Sequence, residues 1–94
     1  MDRGQFGIEI LLTLASIKIN FPNKIFMIRG NHETRHMTTC FNFFLECTKK
    51  YDNDVYEYCI SLFQTLPLAA ILNNQFFLVH GGLSPGLGKI YHLN

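Results

Sequence analysis

Three short polar clusters hold the residue types in this chain that can do chemistry. Arg29-Gly30-Asn31-His32-Glu33 follows an apolar run and brings a guanidinium, an amide, an imidazole and a carboxyl group together. Asn31 can offer a carbonyl oxygen to a metal ion, His32 can ligate or donate a proton, and Gly30 lets backbone approach a ligand closely. His80-Gly81-Gly82 also follows an apolar run, and its paired glycines leave room beside the imidazole, which could face a metal. Asp2-Arg3-Gly4 stands in front of a helical pattern, where an arginine fork could hold phosphate and a carboxylate could orient a histidine. Taken singly, the first reads more readily as a plain polar loop and the third as a solvated Asp-Arg pair, while the second reads equally as a satisfied turn histidine.

A competing pattern overlaps the first cluster, because His32-Glu33-Thr34-Arg35-His36 matches the His-Glu-x-x-His of zinc metalloproteases. That chemistry needs both histidines on one face of a helix, with the glutamate as general base. The residues before it end in Gly30-Asn31 and Thr38-Thr39 follow closely, so no long apolar-striped helix surrounds the motif.

The elements that must position these clusters are legible as apolar periodicities. Ile8, Leu11, Leu12, Ala15 and Ile19 recur at helical spacing and predict a helix over 8–19, stopped by Asn20-Phe21-Pro22. Lys24 to Ile28 reads as a short strand covered on both faces, placing the first cluster at its carboxyl end, where open α/β sheets bind ligands. A second helix is expected over 41–50, and a third where Asp54-x-x-Glu57 forms a capping box ahead of Val55, Tyr58, Cys59, Leu62 and Phe63. Leu68 to Leu72 and Phe76 to Val79 form a hairpin across Asn73-Asn74-Gln75, since asparagine tolerates left-handed turn conformations. The fold class is α/β, and the set is incomplete, because strands of this kind need more cover and more lateral partners than these elements supply.

Composition supports that view. The 94 residues are 48% hydrophobic with nine Phe and only 16% charged, greasier than a small self-contained domain. A net charge of +1 without basic patches argues against nucleic acid or an anionic membrane as partner, and no apolar run approaches the ~20 residues that span a bilayer. Cys40, Cys47 and Cys59 are odd in number and lack a Cys-x-x-Cys pair, so they are expected to be reduced, mostly buried thiols of an intracellular, cytoplasmic protein.

In order along the chain, the three clusters resemble the phosphoprotein phosphatase family of serine/threonine phosphatases from Asp2 to Pro85. Met1-Asp2-Arg3-Gly4 is similar to the tail of Gly-Asp-x-Val-Asp-Arg-Gly, Arg29 to Glu33 to Arg-Gly-Asn-His-Glu, and His80 to Pro85 to His-Gly-Gly-Leu-Ser-Pro. Arg35-His36-Met37-Thr38, Phe41-Asn42-Phe43 where many relatives carry Tyr-Gly-Phe, and Val55-Tyr56 look most like the calcineurin catalytic subunit. The resemblance implies a partial calcineurin-like metallophosphoesterase fold, a β-sandwich flanked by helices, and an incomplete catalytic domain over 1–94. It implies hydrolysis of phosphoserine and phosphothreonine at a site of two metal ions, Fe and Zn or Mn, with a phosphoprotein as substrate. Asn31 and His80 would ligate one metal, Arg3 would bind phosphate oxygens, His32 would protonate the departing oxygen, and Asp2 would hold the His32 ring. Glu33 would be a structural partner. A calcium-binding regulatory subunit and calmodulin would bind the parent protein through segments outside this chain.

The chain also departs from the family. Gly-Asp-x-His-Gly and the bridging aspartate two positions before Asp2 are absent, and the later metal histidine and second phosphate arginine are expected beyond Asn94. Met1 stands where the family usually has valine and would be an internal start or the edge of a partial sequence. Two neutral ligands are too little for tight metal binding, so the chain alone is expected to hydrolyse phosphoproteins poorly. The alternative class of reading is a non-catalytic binding or regulatory fragment.

Overall fold

The structure, a computed structural model, describes residues 1–82, so Leu83, Ser84 and Pro85 of the third motif lie outside the described residues. Four helices precede one hairpin: α1 (Gly7–Asn20), α2 (Arg35–Cys40), α3 (Phe43–Lys50), α4 (Asn53–Thr65), β1 (Ala69–Leu72) and β2 (Phe76–Val79). The class is α/β as expected, with a two-stranded sheet among the described residues.

α1 stops where the sequence signals it, and Lys18 Nζ then reaches the carbonyls of Pro22 at 2.8 Å and Ile25 at 2.9 Å, folding the chain back along the helix. The expected stripe is only half realised. Ile8 and Leu11 are buried, while Leu12 and Ile19 are 48% and 78% exposed. Ile10 and Ile17 make the helix apolar on nearly every side, so no single face is marked out as the core face.

Residues 24–28 do not form a strand. Their continuation makes one long-range backbone bond, Arg29 N–H to the Pro67 carbonyl at 2.8 Å, and Phe26 stays 75% exposed. A strand exists only as part of a ladder, and the described sheet lies elsewhere.

α2 is absent from the periodicity because Arg-His-Met-Thr-Thr-Cys has no apolar stripe. It is held by a local cap and by two contacts to α4. Thr34 caps it by accepting from Met37 N–H at 3.1 Å, buried Thr38 shares a 2.7 Å hydrogen bond with the Tyr56 hydroxyl, and Arg35 forks onto the Glu57 carboxylate at 2.7 and 2.6 Å. The expected capping box does not form, because α4 starts at Asn53 and Asp54 lies inside its first turn. Glu57 is engaged by Arg35, and Asp52 caps α4 instead, accepting from Val55 N–H at 2.9 Å. Likewise the helix expected from Phe41 begins at Phe43, leaving Phe41 and Asn42 as the joint between α2 and α3.

The core joins α1, α3 and α4 through Ile8, Leu11, Phe43, Cys47, Tyr56, Cys59, Ile60 and Phe63. Phe43 and Phe63 pack with ring centres 5.8 Å apart, and Phe44 meets Tyr56 edge-on at 4.8 Å. The hairpin pairs Ala69 with Val79 through Leu72 with Phe76. Asn73 and Asn74 adopt φ of 53° and 56°, as the expected tight turn requires, and Gln75 N–H closes it onto the Leu72 carbonyl at 3.0 Å. Among the described residues no helix is long and apolar enough to cross a membrane.

Two expectations follow. Cys47 and Cys59 are buried and Cys40 is exposed, and burial pushes the Cys47 thiol up to about 12 and raises that of Cys59. A thiol-alkylating reagent should therefore label Cys40 alone in the native chain and all three cysteines in denaturant, as counted by mass spectrometry. Glu57 is held below its usual 4.5 by the Arg35 fork, and Glu9 is held below it by Lys50, which donates at 2.9 Å. Depressed carboxyl groups contribute stability that is present above 4.5 and fades as the pH falls through their folded values. The urea midpoint should drop over that acid window, with a smaller contribution from these exposed pairs at high salt.

Candidate active site

The site is built around two buried carboxylates that need donors. Asp2, 2% exposed, uses Oδ1 to accept the Phe43 N–H at 2.8 Å and Oδ2 to bind His32 Nδ1 at 2.7 Å. Glu46, 6% exposed, accepts Gly7 N–H at 3.0 Å and Ile8 N–H at 2.6 Å. The first N–H groups of a helix have no partner within it and attract negative charge. The segment before α1 thus caps α3, and α3 caps α1. Gly7 is required there, because a Cβ would run into the Met1 carbonyl and reach within 3.1 Å of Glu46 Oε1.

This exchange holds the Asp2-Arg3-Gly4 turn against the α2–α3 joint. Asn42 N–H donates to the Asp2 carbonyl at 3.1 Å and Asn42 Nδ2 to the Gly4 carbonyl at 2.9 Å. The Asp2 carboxylate, far from solvated, is fully hydrogen-bonded. Because a carboxylate oxygen accepts, His32 Nδ1 carries the hydrogen, and Nε2 is the ring nitrogen left for other partners.

The loop of residues 29–34 is tied internally. Glu33 accepts the Gly30 N–H at 2.6 Å through its carboxylate, and its carbonyl accepts from Arg29 Nε at 2.7 Å. Glu33 therefore serves the loop's own backbone. A Cβ on Gly30 would lie 2.7 Å from Glu33 Oε2 and 3.1 Å from His80 Nδ1, so the glycine admits these two side chains. β2 delivers His80 to this place, where Nε2 lies 3.0 Å from Asn31 Oδ1. Asn31 and His80 are 49 residues apart in sequence, and His32 and Asp2 are 30 apart. All five predicted site residues, Asp2, Arg3, Asn31, His32 and His80, line one open cleft of 330 Å³. A larger depression of 830 Å³ beside Phe6, Leu45 and Lys49 gathers no histidine.

Asn31 Oδ1 and His80 Nε2 are neutral donors of the kind that divalent transition metals accept. They fit as part of one metal's ligands. Among the described residues no group of three or more His, Cys, Asp or Glu could complete a shell, and both Asp2 oxygens are already engaged. The metalloprotease pattern does not assemble: α2 begins at Arg35, so His36 lies on the helix and His32 before it. The Glu33 carboxylate is occupied by Gly30.

The residue that local patterns missed is Phe41. Its ring meets the His32 ring at 4.8 Å with an interplanar angle of 64°, and the Arg3 guanidinium lies 5.3 Å from its centroid. No apolar periodicity marks it as a site residue, since one contact spans the turn from the loop before α2 and the other joins segments 38 residues apart.

The family profile of calcineurin-like phosphoesterases matches residues 1–94. The chain belongs to this family. It is similar to two serine/threonine-protein phosphatase 2B catalytic subunits of Saccharomyces cerevisiae. Subunit A2 is 46% identical and A1 is 47% identical over 94 residues, all of this chain but 16% and 17% of those proteins. The serine/threonine-protein phosphatase 4 catalytic subunit of Kluyveromyces lactis is 49% identical over 91 residues, 96% of this chain and 30% of that protein. A solved Saccharomyces cerevisiae protein serine/threonine phosphatase, described as similar to human phosphatase PP5, superposes with a TM-score of 0.88 at 38% identity. That superposition covers 89% of this chain and 27% of the solved one. The chain thus spans less than a third of each of these proteins.

The Asp2 contacts give a two-part expectation for this calcineurin-like chain. Asp2→Ala strands the Phe43 N–H and frees the His32 ring, and should lower unfolding free energy by about 1–3 kcal/mol in urea titration. Asp2→Asn keeps an acceptor for Phe43 but offers Nδ2 as a donor to His32, so nitrogen chemical shifts should report a hydrogen moved to Nε2.

Proposed function

We propose that these residues form part of the catalytic centre of a protein serine/threonine phosphatase that hydrolyses phosphoserine and phosphothreonine at a two-metal site. The observation that carries the reading is the single cleft in which an Asp2–His32 pair lies beside an Asn31–His80 pair. Relatives named as serine/threonine phosphatases support it.

Each side chain then has a task. Arg3 offers its guanidinium to the phosphate oxygens, a role suited to the planar, always charged fork. His32, acting as an imidazolium with a hydrogen on each ring nitrogen, hands the Nε2 proton to the departing serine or threonine oxygen, a strong base that leaves slowly as a bare alkoxide, and is left as the neutral Nδ1–H ring. Asp2 fixes the tautomer and orientation of that ring through Nδ1. Asn31 and His80 would hold one of two divalent or trivalent ions, Fe with Zn or Mn. When bound, the ions neutralise charge on the transferring phosphoryl group and activate water. His80 now points Nε2 at Asn31 Oδ1, so ligation there would require its hydrogen on Nδ1. The substrate is a phosphoprotein, and a calcineurin-type calcium-binding subunit and calmodulin are partners of the parent protein through other segments. Residues 1–94 would make up an incomplete catalytic domain, and the chain alone, with its two neutral donors, is a weak metal binder with little turnover.

The test replaces the matching 94 residues of the Saccharomyces cerevisiae phosphatase 2B catalytic subunit A1 with this chain. The hybrid should dephosphorylate a phosphoserine peptide, and His32→Ala should slow it by about 10²–10⁴-fold with unchanged metal content. Asn31→Ala or His80→Ala should lower metal content itself, read by elemental analysis. A hybrid that turns over equally well with His32→Ala would overturn the assignment of the acid. Comparable turnover by the isolated chain supplied with manganese would overturn its proposed inactivity.

A further inference from the structure

We infer that Phe41 is a positioning residue that sets the His32 imidazole and the Arg3 guanidinium relative to each other. The inference rests on the phosphatase reading above for the roles of those two groups. Its structural basis is independent of that reading. Phe41 is one of only two residues between α2 and α3, and that joint is tied on both sides. Phe41 N–H donates to the Met37 carbonyl at 2.9 Å, Asn42 N–H to the Asp2 carbonyl at 3.1 Å, and Phe43 N–H to Asp2 Oδ1 at 2.8 Å. Asn42 Nδ2 adds the Gly4 carbonyl at 2.9 Å. The backbone that carries the ring is thereby fixed to the backbone that carries Arg3.

The ring uses both kinds of aromatic contact at once. His32 meets it edge-on at 4.8 Å, and the Arg3 guanidinium lies 5.3 Å from its centroid, within cation–π range. Arg3 makes no hydrogen bond or ion pair among the described residues, so the ring is the contact there that restrains its long side chain. His32 is anchored at one ring nitrogen by Asp2, which leaves rotation about that bond to be limited by a neighbour on the ring's flank. Phe41 is 40% exposed and lies outside the buried cluster, so packing the core does not explain it. One aromatic side chain therefore couples the group that would grip phosphate to the group that would protonate the leaving oxygen.

The experiment uses leaving-group dependence, because loss of structure slows all substrates alike. In the hybrid catalytic subunit, Phe41→Leu should slow a phosphoserine peptide about tenfold, as misplacement of a catalytic group does. p-Nitrophenyl phosphate, whose departing phenolate needs no proton, should slow less than about threefold. The inhibition constant for inorganic phosphate should rise about threefold through Arg3, with metal content unchanged. Phe41→Tyr, which keeps the ring, should restore all three values. Equal losses on both substrates, or no change on either, would overturn the inference and leave the phosphatase reading standing. A hybrid without turnover overturns that reading instead, and Phe41 is then judged on the chain itself by nuclear magnetic resonance. There Phe41→Leu should remove the ring-current shifts of the His32 ring and Arg3 side-chain protons, and unshifted resonances refute the inference.

Discussion

Two carboxylates out of water must find donors, and the way they find them organises this molecule. Asp2 and Glu46 are nearly inaccessible, and each ends on the unpaired N–H groups at the start of a helix that belongs to the other's segment. Such charge-assisted bonds are stronger than neutral ones, and losing either partner leaves a buried group unsatisfied. The crossing of α1 and α3 is thus set by an electrostatic match as well as by the contacts of Ile8, Phe43 and Cys47. It also brings the residues before α1 within reach of the loop before α2, and the site depends on that meeting.

The site has a division between what is tied and what is open. His32 Nδ1, both Asp2 oxygens, the Glu33 carboxylate and the Gly30 N–H are all engaged within the protein. Arg3, Asn31 and His80 face the cleft with weak or exchangeable partners. Among the described side chains, no buried polar atom lacks a hydrogen-bond partner. That pattern suits a centre in which orientation is supplied by buried bonds and ligand contact by exposed groups. It also explains why Glu33, despite its place in a metalloprotease-like string, is not free to act as a base.

The apolar surface is unusually large for so short a chain. Ile19, Phe26, Ile71 and Phe76 are all more than half exposed, and both faces of the hairpin reach solvent. An isolated two-stranded hairpin is marginal in water, and β2 nevertheless has to deliver His80 to Asn31. The helical half of the structure carries the core, so the two halves of the site rest on elements of unequal burial.

Much of this was readable along the chain. Helix stops at Pro22 and Pro67, the turn at Asn73-Asn74 and the three polar clusters follow from steric and hydrogen-bonding properties of single residues and their near neighbours. The clusters in order also carried the family resemblance, and with it the five residues that line the cleft. What local pattern could not hold was any feature resting on a distant partner. α2 has no stripe of its own and depends on Tyr56 and Glu57, and residues 24–28 lack the ladder that makes an apolar run a strand. The sequence by itself determined which chemical groups the chain carries and where its backbone must turn. Tertiary structure decided that Asp2 is buried, that it is the partner of His32, and that Phe41 touches both His32 and Arg3. Asp2 finds its partners in segments 30 or more residues away, and the Phe41 contacts form only where those segments meet at the α2–α3 joint, so no short-range preference encodes them.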